Sequence, residues 1–217
     1  DGGATAGVID GVADNVVLVS PQDISEIKSV LKSDNDIAAV IVEPTGSSFG
    51  MVPMTQEFLQ SVRKFTEEQG VIFIFDEVVT GFRCSPGGAQ QAFDIKPDLT
   101  TLAKILAGGL PGGAVAGRKD ILDDLDFERA AAQGREKIGH PGTFNANPVS
   151  AAAGIAALKI IEQTDACEKA NSSAAILREN FNNILEKHNV PWAAYGTFSG
   201  VHLYMNKNGQ TLKQSTF

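Results

Sequence analysis

Three polar residues in this sequence fall where an α/β protein does its chemistry. Glu43 ends the apolar run DIAAVIVE, Asp76 follows VIFIF, and Lys104 follows PDLTTLA, so each stands at or just past the carboxyl end of a candidate strand. Ligands of open α/β sheets bind beyond that edge. A lysine there can form a Schiff base with a carbonyl and, once freed, act as a base, while a carboxylate can keep a cationic partner protonated. Asp76 and Lys104 lie 28 positions apart (104 − 76), so only sheet topology can bring them together. Spacing alone leaves a plainer reading open: an acid after a strand also starts loops or caps helices, and a lysine before Gly-Gly is also an ordinary solvated charge.

The elements that must position these residues follow from hydrophobic period. Residues 36–43 are nearly all apolar until the closing acid, as in a strand buried on both faces of a parallel sheet, and Pro44 stops it. Phe58, Leu59, Val62 and Phe65 recur at helical spacing between Thr55, a suitable N-cap, and Gly70, a suitable C-cap. With VIFIF next, this makes a βαβ unit with a right-handed crossover. Further strands are expected at 98–102 and 113–117.

Asn147 and Pro148 open a helix expected to reach Gln163. A second helix is expected over 166–188, with Leu177, Phe181, Ile184, Leu185 and His188 on one stripe. Short apolar runs after Pro191 suit strands of a smaller domain. The class is therefore α/β, with a mostly parallel central sheet, flanking helices and part of a smaller C-terminal α+β domain. Residues 1–165 are expected to form the large domain, incomplete at its N-terminus, and 166–217 the start of the small one; both ends read as cuts in a longer chain.

Bulk composition narrows the partners. The 217 residues are 43% hydrophobic, enough for a substantial core, and 18 Lys+Arg against 26 Asp+Glu give a net charge of −8. That balance offers no footprint for nucleic acid or an anionic membrane. No run approaches the roughly 20 apolar residues of a membrane helix, and the opening DGGATAGVIDG lacks the features of a signal peptide, so the expected compartment is the cytoplasm. Cys84 and Cys167 form no CxxC pair and read as ordinary thiols; His140, His188 and His202 show no metal-ligand spacing. No GxGxxG follows the first strand, and GGLPGG lacks the lysine and hydroxyl of a P-loop.

Three motifs in order, DEVVTGFR (76–83), PDLTTLAKILAGGLPGGAVAGR (97–118) and GTFNANP (142–148), resemble the class III aminotransferases. These are fold type I enzymes dependent on pyridoxal 5′-phosphate. Within the family, GGAQQAFDIKPDLTTLAK looks most like the glutamate-1-semialdehyde 2,1-aminomutase branch. The resemblance implies Lys104 as the Schiff-base lysine, Asp76 as partner of the pyridine nitrogen and Val78 as the apolar side chain on one ring face. It implies that Thr143 reaches the cofactor phosphate of the neighbouring subunit, which makes a homodimer with shared sites part of the mechanism.

Glu43 and Ser48 are implied near the cofactor hydroxyl, although the family usually carries asparagine or an acid where this chain has Ser48. Phe144-Asn145-Ala146 stands where the aminomutase usually has Leu-Ser-Gly, which favours ordinary transamination between an amino donor and a keto acid or aldehyde. Intramolecular amino transfer is the alternative, and a non-catalytic scaffold a third reading. The family's other phosphate loop and its second ring-stacking aromatic precede residue 1.

Overall fold

In the computed structural model, which describes residues 6–21, 23–46 and 52–206, the apolar run after Gly70 becomes the strand around which the chain is organised. The elements are α1 (Asp10–Ala13), α2 (Ile24–Ser33), β1 (Ala39–Val42), α3 (Gln56–Gln69), β2 (Ile72–Glu77), α4 (Gly88–Phe93) and β3 (Leu99–Ala103). A 3₁₀ turn (Lys104–Ala107), β4 (Gly113–Gly117), α5 (Lys119–Leu122), a second 3₁₀ turn (Asp123–Leu125) and α6 (Phe127–Ala132) follow. The chain continues through α7 (Pro148–Gln163), α8 (Ala166–Lys187), β5 (Ala193–Tyr195) and β6 (His202–Tyr204).

β1, β2 and β3 are parallel neighbours, and β4 pairs antiparallel with β3. The connection 104–112 is shorter than the dozen or so residues a parallel crossover needs, so β4 has to turn back. The α/β class and the mostly parallel sheet match the sequence reading.

α3 is specified locally at both ends. The Thr55 hydroxyl accepts from the Phe58 N–H at 3.2 Å, and Gly70, at φ 70°, ends the helix in the left-handed region. Its Phe58, Leu59, Val62 and Phe65 form one core with Ile27 and Leu31 of α2, Phe73 and Phe75 of β2, and Ile95. The Phe73 and Phe75 rings meet edge to face at 5.1 Å. Burial of each such side chain contributes about 2 kcal/mol.

This core occupies one face of the sheet, and that corrects the expectation of a first strand buried on both faces. Val40 and Val42 pack against it, whereas Ile41, pointing the other way, is 62% exposed. Residues along a strand alternate between faces, and α2 and α3 cover only one. On the opposite face Asp76 stands beside Thr101.

α8 starts one residue after Asp165 and docks through the buried Cys167 and Ala174. Asn171 Nδ2 donates to the Cys84 carbonyl at 2.9 Å, and Cys167 Sγ donates to the Phe82 carbonyl at 3.4 Å. Farther along, Asn182 exchanges two hydrogen bonds with the backbone of Ala194, at 2.9 and 2.8 Å, and so fixes β5 of the two-stranded β5–β6 sheet to the helix. The stripe expected on this helix faces outward, with Leu177, Phe181 and Ile184 all more than 40% exposed. Among the described residues, no helix is long and apolar enough to cross a membrane.

Asp98 ties the sheet to its surroundings. It is 4% exposed, and its carboxylate accepts from the Phe73 N–H at 2.8 Å, from Arg63 at 2.6 Å and from Arg118 at 3.1 Å. Burial works to raise its pKa, but the Phe73 N–H and the two guanidinium groups outweigh burial and hold the carboxyl below its usual value. The stability it contributes is complete above the unfolded-state pKa of about 3.9 and is lost as pH falls through the lower folded-state value. Asp98→Asn is expected to cost about 3 kcal/mol at pH 7, measured by urea unfolding, with the gap to the parent narrowing below about pH 4.

Cys84 is a buried thiol, pushed up to about 12 by burial and then by the neighbouring Glu77 and Glu43 carboxylates. Because the thiolate is the nucleophile, iodoacetamide at pH 8 is expected to leave Cys84 unmodified in the folded protein and to alkylate it after denaturation, as read by mass spectrometry.

Candidate active site

The parallel pairing of β2 with β3 sets the site. Asp76 and Thr101 are register partners, and Lys104 follows three residues beyond Thr101, immediately after β3 ends at Ala103. Val42 pairs with Phe75, so Glu43 lies one residue past that pair, alongside Asp76. Glu43, Asp76 and Lys104 therefore occupy one edge of the sheet. Asp76 belongs to the last turn of pleat in β2 and does not follow the strand, because the ladder to β3 runs through Glu77.

Among the described residues, the Asp76 carboxylate is held through one oxygen. Its Oδ1 accepts from the Val78 N–H at 3.0 Å and from the Thr101 hydroxyl at 3.1 Å. Val78 is partly buried just beyond the strand. Lys104 is exposed and has φ 50°, a left-handed conformation that costs a non-glycine residue about 1 kcal/mol or more. Among the described residues it forms no ion pair.

The lysine turn is braced from behind. Gly108 abuts the backbone of Ala153 and Gly154 in α7, and Gly154 abuts the carbonyl of Leu106; a Cβ at either glycine would collide with backbone. Ser150 Oγ, in the first turn of α7, donates to the Pro111 carbonyl at 2.7 Å. Two small residues thus allow helix and turn to touch, and this sets where Lys104 begins.

Thr143 is exposed in the turn that leads into α7. The first free amides of that helix are already taken, since Asn147 Oδ1 accepts from Val149 N–H at 2.9 Å and from Ser150 N–H at 3.2 Å. The anion site expected at this helix start is therefore reduced to what Thr143 itself and the preceding loop can offer. His140 is exposed, and its carbonyl accepts from Asn145 Nδ2 at 3.0 Å. Glu43 accepts from the Thr45 N–H at 3.2 Å and from the Thr45 hydroxyl at 2.7 Å, so it closes the turn after β1. Ser48 lies outside the described residues.

Two residues not singled out in the sequence prove central. One is Thr101, which touches Asp76. The other is Glu77, 1% exposed on the core face, whose carboxylate collects four donors: Thr80 Oγ1 at 3.1 Å, the N–H groups of Ala89 at 2.6 Å and Gln90 at 3.2 Å, and Gln90 Nε2 at 2.8 Å. These bonds fold the loop after β2 back onto the strand end that carries Asp76 and Val78. Gly88, at φ 70°, faces the same carboxylate so closely that a Cβ would collide with it. The Asp-Glu pair was visible in sequence; that its second member closes a loop twelve residues long could be seen only once the chain returned.

The fold agrees with comparisons across known proteins. The profile of the family "Aminotransferase class-III" matches residues 12–214, and the chain belongs to that family. A glutamate-1-semialdehyde 2,1-aminomutase of Sulfurisphaera tokodaii is 40% identical over 185 residues, 85% of this chain and 42% of the relative. An omega-transaminase structure from Sphaerobacter thermophilus superposes with a TM-score of 0.82 at 31% identity, covering 97% of this chain and 48% of that one. A transaminase structure with PLP bound gives 0.83 at 30% identity, covering 93% and 46%. The chain spans a little under half the length of the curated relatives it matches.

Gly88→Ala adds strain at a left-handed position and displaces the Glu77 carboxylate. It is expected to lower stability by about 2 kcal/mol or more, read by thermal unfolding.

Proposed function

We propose that this chain is the central part of a pyridoxal 5′-phosphate-dependent aminotransferase that moves an amino group between an amino donor and a keto acid or aldehyde. The observation that carries the reading is the placement of Asp76 and Lys104 at the carboxyl ends of adjacent parallel strands, the first held through one oxygen and the second unpaired among the described residues. That donor set fits a ligand with a carbonyl near one end and a basic ring nitrogen near the other. When bound, the cofactor supplies an electron sink for the charge left on deprotonating an amino acid.

Each residue then has a defined task. The Lys104 Nζ would hold the cofactor through its carbonyl carbon, with loss of water, and, once displaced by the incoming amine, would take the proton from the substrate's amino-bearing carbon and return it to the cofactor carbon that had carried the lysine. Asp76, through the carboxylate oxygen that carries no internal hydrogen bond, keeps the ring nitrogen protonated. Val78 covers one face of the ring and excludes water there. Thr143 would donate to the phosphate held by the neighbouring subunit, and Glu43 and Ser48 are proposed to serve the ring hydroxyl. Residues 1–165 form the large domain and 166–217 the start of the small one, in a cytoplasmic homodimer.

A second reading, intramolecular amino transfer, is favoured by the curated relatives of 36–41% identity that carry the aminomutase name. Residues 144–146 favour separate donor and acceptor. Borohydride reduction of the complete polypeptide with pyridoxal phosphate is expected to label Lys104, located by peptide mass spectrometry; a folded, complete dimer without that label overturns the proposal. An amino donor supplied alone is expected to convert the cofactor to its amine form, with turnover on adding a keto acid. Failure of every separate acceptor selects the aminomutase.

A further inference from the structure

We infer that Thr101 is a positioning residue for the Asp76 carboxylate; the inference rests on the aminotransferase reading above. Asp76 and Thr101 are register partners in adjacent parallel strands, so their side chains leave the same face of the sheet. The Thr101 hydroxyl donates to Asp76 Oδ1 at 3.1 Å, and the Val78 N–H donates to that same oxygen at 3.0 Å. Both restraints act on one oxygen. The carboxylate plane is thereby fixed, and Oδ2 is left without a hydrogen bond among the described residues.

The alternatives for position 101 are weaker. A threonine in a strand is ordinarily a β-branched filler, with its hydroxyl turned to water or to a neighbouring carbonyl. Thr100, its neighbour, is of that buried kind and lies on the core face opposite Phe75. Thr101 instead faces away from the core, and its hydroxyl bonds to the Asp76 carboxylate. Backbone alone cannot replace it: without the hydroxyl, Val78 N–H remains a single pivot about which the carboxylate can rotate.

Hydrogen bonds to charged groups contribute more than neutral ones, which sets the size of the expected effect. In the complete polypeptide, Thr101→Val keeps the shape and removes the donor, whereas Thr101→Ser keeps the donor and removes the methyl. Cofactor dissociation is measured by equilibrium dialysis, and the steady-state rate is separated into kcat and KM for the amino donor. Thr101→Val is expected to weaken cofactor binding about tenfold and to lower kcat with little change in KM, while Thr101→Ser stays near the parent on both.

Equal affinity and kcat in Thr101→Val and the parent overturn the inference. So does a loss in Thr101→Ser as large as that in Thr101→Val, and this second result stands whether or not the valine variant folds well. Borohydride labelling of Lys104 in the parent separates the two claims: label present with Thr101→Val unchanged sinks only the role of Thr101, whereas no label in a folded dimer sinks the aminotransferase reading and the role of Thr101 with it.

Discussion

The β2–β3 ladder is the constraint on which the rest depends. Its register places Asp76 opposite Thr101 and Glu77 opposite Leu102. Because faces alternate along a strand, a slip of one residue would turn Asp76 into the core and lift Glu77 out of it. Apolar burial resists that slip: Phe73 and Phe75 are fully covered, and both would have to emerge. The packing energy of two phenylalanines thus secures the aim of a carboxylate one and three residues farther along the strand.

Around that ladder the two acids of the Asp-Glu pair divide the labour by face. Asp76 stands on the face away from the core, held at one oxygen. Glu77 points inward, where four donors satisfy it without a cation, as a buried carboxylate requires. One strand end therefore carries the proposed cofactor-binding acid and the fastening that keeps its loop closed. The lysine turn is secured separately, through the Gly108–Gly154 contact with α7.

What could be read in the sequence was what local physics decides. The Thr55 and Asn147 caps, the left-handed Gly70 and the 3.6-residue spacing of α3 are properties of short segments, and they appear in the structure as expected. The short helices α5 and α6 and the 3₁₀ turn between them are held by ion pairs such as Lys119–Asp123 that leave no hydrophobic period to detect. α2 was missed although Asp23 caps it, since only Ile27 and Leu31 are buried. On α8 the period announced a helix but not which face would be covered, which depends on partners distant in sequence. Thr101 and Glu77 were opaque for the same reason: their meaning lies in register and in a returning loop.

The left-handed backbone at Lys104 sets two selective pressures against each other. For folding alone, glycine is the residue this φ prefers, and it would relieve the strain. The proposed amine chemistry, by contrast, requires the lysine. Position 104 is thus a place where thermodynamic stability and chemistry trade off. The surrounding scaffold, with its close helix contact and its antiparallel return through β4, holds a residue that the turn by itself would reject.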